Sequence, residues 1–197
     1  MENQPYRISM RLIIIAICFF CLHTACNIEG RKPVEATNRS MALTDSASNL
    51  LVNYHLEKQN TAKLDVILEL LNKAIDCDST NFLAYNNKLM VLSLKNEYLK
   101  AINLLDKMLS FNKNHAQLLF FKGLIYEKLE DPTSTQIFYN KADIMYEKQL
   151  KLYPDSMQLI ADRLFFTAFT KGKEEAHKEL NLFILRHPDK KIQIHRG

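Results

Sequence analysis

The sequence predicts an all-α fold of repeated antiparallel helical hairpins, and three observations carry that prediction. The first is composition: four glycines and five prolines among 197 residues, no tryptophan, and abundant Leu, Lys and Asn. Strands and their hairpins need more turn residues and more β-branched runs than this. The second is periodicity between Phe82 and His115. Tyr85, Leu89 and Leu92 lie at helical spacing before a polar break at Lys95-Asn96-Glu97, and Ala101, Leu105 and Met108 do so after it. The third is recurrence, because blocks of similar length and pattern precede and follow the one from Phe82 to His115.

In chain order, Arg7 and Arg11 precede an unbroken apolar run from Leu12 to Leu22. Positive charge ahead of so short a run is the pattern of a secretory signal. As a helix it would reach roughly 16 Å, about half the hydrocarbon thickness of a bilayer, too little for a permanent span. His23-Thr24-Ala25-Cys26 ends the run and resembles the lipobox of bacterial lipoproteins, with Leu22 one place further from the cysteine than usual. The resemblance implies a signal over 1–25, lipid attachment at Cys26 and membrane binding through the acyl chains; simple secretion and an uncleaved anchor are the alternatives. Asn27 follows in place of the Asp linked in some bacteria to inner-membrane retention, so the outer membrane is the expected destination. The Asn-, Lys- and Ile-rich usage and loose lipobox also resemble lipoproteins of the Bacteroidota. Once Cys18 and Cys21 leave with the signal and Cys26 carries lipid, only Cys77 is left, so packing and not disulfides must hold the domain. Residues 26–45 are polar, contain Gly30 and Pro33, and show no sustained period, which predicts a flexible tether.

The repeat region is expected over 46–190, in units 48–81, 82–115, 116–156 and 157–190, with a short tail at 191–197. In the first unit the first helix carries Leu50, Leu51, Tyr54 and Leu56, the second carries Leu64, Ile67, Leu68, Leu71, Ala74 and Ile75, and Asp78-Ser79-Thr80 supplies a turn and a cap. In the third, Gly123 suits a close helix crossing, and Pro132 after Asp131 opens the second helix. That helix runs long, since the closing proline, Pro154, comes seven residues late. Tyr139, Tyr146 and Tyr153 recur along it at the same interval, as packing residues or as a contact ridge. In the last unit Lys171-Gly172-Lys173 makes the turn, Ala176, Leu180 and Phe183 face inward, and the run Leu182-Phe183-Ile184-Leu185 covers more than one face. With no polar capping helix in view, two arrangements remain: Ile192 and Ile194 fold back over that face, or a second molecule covers it in self-association through the last helix.

These blocks resemble the tetratricopeptide repeat, a helix–turn–helix unit of the same length. Tyr85, Tyr98 and Ala101 fall on its positions in the second unit, Leu119, Gly123 and Tyr126 in the third, and Leu164, Ala176, Leu180 and Pro188 in the fourth. Leu89 and Lys113 depart from it. The resemblance implies an α-solenoid of about four repeats, a right-handed superhelical arc, and a concave groove that binds a protein or peptide partner. Carried over position by position, the groove comprises Asn86, Asn87, Met90 and Ser93, then Gln117, Phe120, Phe121, Leu124, Glu127 and Lys128, then Gln158, Ala161, Asp162, Phe165 and Phe169. The basic residues with which some relatives clamp a C-terminal carboxylate are absent. An apolar groove with amide rims suits a segment with aliphatic anchors; the alternative is that the phenylalanines are simply core.

Other chemistry finds no footing. His55, His115, His177, His187 and His195 are scattered without metal-ligand spacing, His115 and His187 being expected as solvated turn residues. Glycines at 30, 123, 172 and 197 build no phosphate loop, and no nucleophile–base pair is spaced for catalysis. No cofactor, metal or enzymatic activity is expected. Net charge is +4 and the basic residues are spread, with no nucleic-acid motif. The function expected is a membrane-anchored scaffold or adaptor; the alternatives are an immunity or accessory lipoprotein masking a cognate protein, or a glycan- or nutrient-binding lipoprotein.

Overall fold

The computed structural model describes residues 34–56, 61–111 and 115–186, and among them there is no strand. Eight helices follow in order: α1 Val34–Leu56, α2 Ala62–Cys77, α3 Phe82–Leu94, α4 Tyr98–Phe111, α5 Ala116–Lys128, α6 Pro132–Leu152, α7 Met157–Thr170 and α8 Lys173–Arg186. The fold class is the expected one, all-α and built of helical hairpins. The chain divides between Met108 and Leu109 into two compact units. Cys26, the proposed tail and the signal segment lie outside the described residues.

In the first unit α2 packs against both α1 and α3, and α1 also touches α3. The tether expected through residue 45 is helical from Val34 onward. Its inward face explains why periodicity missed it: Ser40, Thr44 and Ala47 are buried there with Leu51 and Tyr54. Small hydroxyl residues leave no hydrophobic stripe to read, yet they permit close approach and find partners. The Ser40 hydroxyl donates to the Ala74 carbonyl at 2.7 Å. Asn81 Nδ2 donates to Ser40 Oγ and Thr44 Oγ1, both at 2.9 Å. Buried polar groups are tolerable when satisfied in this way.

Asp78-Ser79-Thr80 makes the expected turn, but the cap is the next residue. The Asp78 carboxylate accepts from the Thr80 N–H and hydroxyl, while Asn81 Oδ1 accepts from the Ala84 N–H at 3.0 Å and opens α3. α3 and α4 meet as an antiparallel pair, since Lys107 near the end of α4 lies 5.3 Å over the ring of Tyr85 at the start of α3. Between them Asn96 takes φ 57°, and the Glu97 N–H closes back on the Leu92 carbonyl at 2.9 Å, a left-handed helix stop. Lys95 pairs with Glu97 within this turn and with Asp65 of α2.

The second unit repeats the device one hairpin further along the chain. Glu130 takes φ 57°, and the Asp131 N–H reaches the Tyr126 carbonyl at 3.0 Å. Asp131 then caps α6 by accepting from the Ser134 N–H at 2.9 Å, with Pro132 at the first helical position as expected. α6 has 21 residues where α4 has 14, the seven-residue insertion that the late proline announces. Gly123 explains how tightly α5 and α6 cross: a Cβ there would sit 2.4 Å from Tyr139 Cδ1. The tyrosine series divides, with Tyr146 buried, Tyr139 half-buried and Tyr153 exposed. Ser156 caps α7 and Gly172, at φ 97°, turns the chain into α8. No residue of α8 is fully buried, so Ala176, Leu180 and Phe183 are only half-covered, and Leu182 and Leu185 are exposed.

Candidate functional site: the α5–α7 aromatic face

The residues assigned to the groove are distributed over both units, and each unit places its own. In the first, Met90 is buried, Asn86 is half-buried, and Asn87 is buried with its amide donating to Ser48 Oγ at 2.8 Å. Asn87 therefore ties α3 to α1. In the second unit Phe120, Phe121 and Leu124 are buried and Gln117 is half-buried, while Gln158 and Phe165 are exposed and Phe169 is half-buried.

α5 is buried on nearly every side from Leu118 to Ile125, because it has neighbours on more than one flank. Phe120 stands at its centre. Its ring meets Phe166 at 5.2 Å, Phe169 at 5.5 Å and Phe165 at 6.1 Å, all edge-on, and Tyr139 at 5.7 Å. Edge-to-face pairs at these separations each contribute about 1 kcal/mol beyond area burial. Phe120 is thus the floor, and the accessible side of the same cluster is the α7 stripe of Gln158, Asp162, Phe165 and Phe169. Steps of four, three and four residues put these side chains on one helix face. Gln158 Nε2 donates to the Asp162 carboxylate at 2.7 Å. Burial raises the Asp162 carboxyl to about 6, and among the described residues it has no cationic partner.

A concavity of about 480 Å³ opens elsewhere on α7, lined by Leu150, Pro154, Ile160, Leu164, Leu182 and Phe183 with charged groups around them. One wall is the most connected ion pair in the unit. Arg163 is 7% exposed and donates to Asp143 and to Glu179, at 3.1 Å for Nη2 to Glu179 Oε1. Thr167 also donates to Glu179 at 2.9 Å, and Lys171 to Asp143 at 2.8 Å. Although burial of these charges opposes it, the cations hold the Asp143 carboxyl below its usual range, and the two carboxylates hold Arg163 charged. Sequence reasoning missed this network. Its one signal is an arginine inside the apolar run Leu159–Phe169.

His115, expected as a solvated turn residue, is partly buried at the start of α5, and burial lowers its imidazole to about 4. A neutral ring there is a packing element. His187 lies outside the described residues. Among the described residues no group of three or more His, Cys, Asp or Glu side chains could hold a metal ion, and no helix is long and apolar enough to cross a membrane.

The helix pairs, their left-handed turns and this face define a class, an all-α helical-hairpin protein. No protein-family model matches the chain, and no curated protein matches it. Among solved structures it is similar to a tetratricopeptide repeat protein from Parabacteroides merdae, at 18% identity over 79% of this chain and 67% of that one, with a TM-score of 0.43. A MamA protein gives 18% identity over 79% and 94% of the two chains and a TM-score of 0.40. MamA from residue 41 onward, from Desulfovibrio magneticus, gives 15% over 83% and 99% with 0.41. At these values the fold reading rests on this chain's own helix pairs.

Proposed function

We propose that this chain is a non-catalytic protein-recognition module of the tetratricopeptide type, held at the outer membrane of a bacterial envelope by lipid on Cys26. It binds a segment of another protein on the first helix of a hairpin, α7 of the second unit. The observation that carries the reading is the α7 face: Phe165 is 36% exposed and rests on a rigid floor of buried rings. An aromatic side chain half in solvent and immobilised from below loses little entropy when a partner covers it. The amide of Gln158 and the carboxylate of Asp162 on the same stripe supply polar selectivity at its edge. Phe120, Phe121 and Leu124 contribute as support beneath the surface and not as contacts.

The test takes Phe165→Glu in the full chain. Loss of one partner from crosslinked envelope fractions, with helicity and thermal midpoint retained, supports the reading; unchanged partners remove it. Mass spectrometry of the mature N-terminus tests the anchor, since a free and unmodified Cys26 excludes lipidation there.

A further inference from the structure

We propose that the segment recognised on the α7 face carries a cationic side chain, lysine or arginine, next to an apolar residue, and that Asp162 receives the cation while Phe165 and Phe169 take the apolar neighbour and the aliphatic stem. The inference rests on the protein-recognition reading above and names the chemistry of the partner at that same surface.

The argument begins with what Asp162 lacks. The other half-buried carboxylates inside helices α6, α7 and α8 each have a cation: Asp143 has Arg163 and Lys171, Glu179 has Arg163, and Glu175 has Lys178. Asp162 is next in sequence to Arg163, yet that guanidinium is turned to the opposite pair. Among the described residues, what reaches Asp162 is one neutral amide, from Gln158. The titratable groups facing it are the Tyr146 hydroxyl of α6, which its charge pushes further toward the neutral form, and Arg163 beside it. A half-buried carboxylate with one amide partner is a cost to the folded chain. A ligand cation would remove that cost, and a neutral ligand would not. The rings beside it strengthen the choice, because a cation arriving over Phe165 gains from the aromatic face as well as from the carboxylate. Charge complementarity and the exposure of the apolar stripe therefore select the same ligand.

The probes are three capped tripeptides, acetyl-Leu-Arg-Leu-amide, acetyl-Leu-Lys-Leu-amide and acetyl-Leu-Gln-Leu-amide, titrated by NMR into the full chain in detergent micelles. The account expects the two cationic peptides to bind about tenfold more tightly than the neutral one, with shifts at the Phe165 and Phe169 rings and at the Asp162 carboxyl carbon. In Asp162→Asn, which keeps the amide contact and the shape, the preference should vanish while the thermal midpoint rises. Equal binding of all three peptides to the native chain, with shifts at Phe165, overturns the inference and leaves the recognition reading standing. A cationic preference that persists in Asp162→Asn also overturns it. No shift at either ring with any peptide removes both.

Discussion

Replacing Gly123 by alanine sets two quantities of known size against each other. In an exposed helix interior this change favours the helix by about 1 kcal/mol, because alanine loses less backbone entropy. Here the new methyl would lie 2.4 and 2.5 Å from Tyr139 Cδ1 and Cε1, inside any real contact distance. The ring cannot swing aside freely. It stands 5.7 Å from Phe120 and 6.3 Å from Phe169, and its hydroxyl donates to Glu127 at 2.5 Å. Overpacking of a held side chain costs about 1–3 kcal/mol, so with the helix gain subtracted the net expectation is a loss of up to about 2 kcal/mol. Urea unfolding followed by circular dichroism measures it, read as a shift in midpoint at unchanged slope. The decisive comparison adds Tyr139→Ala, which removes the obstacle. In that background Gly123→Ala should become neutral or stabilising, a coupling expected only of touching residues. A stabilised single variant, or equal costs in both backgrounds, would refute the close crossing of α5 and α6.

Other expectations concern polar groups. Arg163→Ala should destabilise the second unit by about 3 kcal/mol by stranding Glu179 and leaving Asp143 with Lys171 alone, and Arg163→Lys should recover only part of this, since an ammonium lacks the guanidinium fork that bonds Asp143 and Glu179 together; denaturant midpoints of the two variants check it. Asn81→Ala removes the α3 cap and leaves two buried hydroxyls short of a donor, for a loss of about 2 kcal/mol by the same assay. Between pH 4 and 6.5 two groups pull in opposite directions. The His115 value is depressed to about 4, so its contribution is present above pH 6.5 and lost as pH falls through 4, at most about 3 kcal/mol. The Asp162 value is raised to about 6, so its contribution is present below its ordinary value and lost as pH rises through 6. Thermal midpoints from pH 4.5 to 7 should thus fall more steeply on acidification in Asp162→Asn than in the native chain, and less steeply in His115→Gln.

Much of the hairpin pattern is legible in the sequence because it is written in turn chemistry and spacing. Pro132, Gly123 and the late Pro154 locate α5, α6 and the extra two turns, and the left-handed stops at Asn96 and Glu130 stand one repeat length apart. What escapes is whatever departs from an apolar stripe. α1 hides a face of Ser40, Thr44 and Ala47, so its composition imitates a linker. α3 and α5 are covered on nearly every side, so no period can say which residues face a groove, and Asn87, Met90, Phe120, Phe121 and Leu124 are buried. The Arg163 network joins residues 16 and 20 positions apart on three helices, a distance at which local pattern carries no signal.

The central claim is that the face of α7 around Phe165 receives another polypeptide. A photo-crosslinking phenylalanine analogue placed at 165 in the full chain, within intact cell envelopes, interrogates that surface directly, with the same analogue at exposed Ile144 of α6 as the control. The account predicts one discrete adduct from position 165 that is absent from 144 and lost in Asp162→Asn. Identical adducts from both positions, or none from 165, would contradict it.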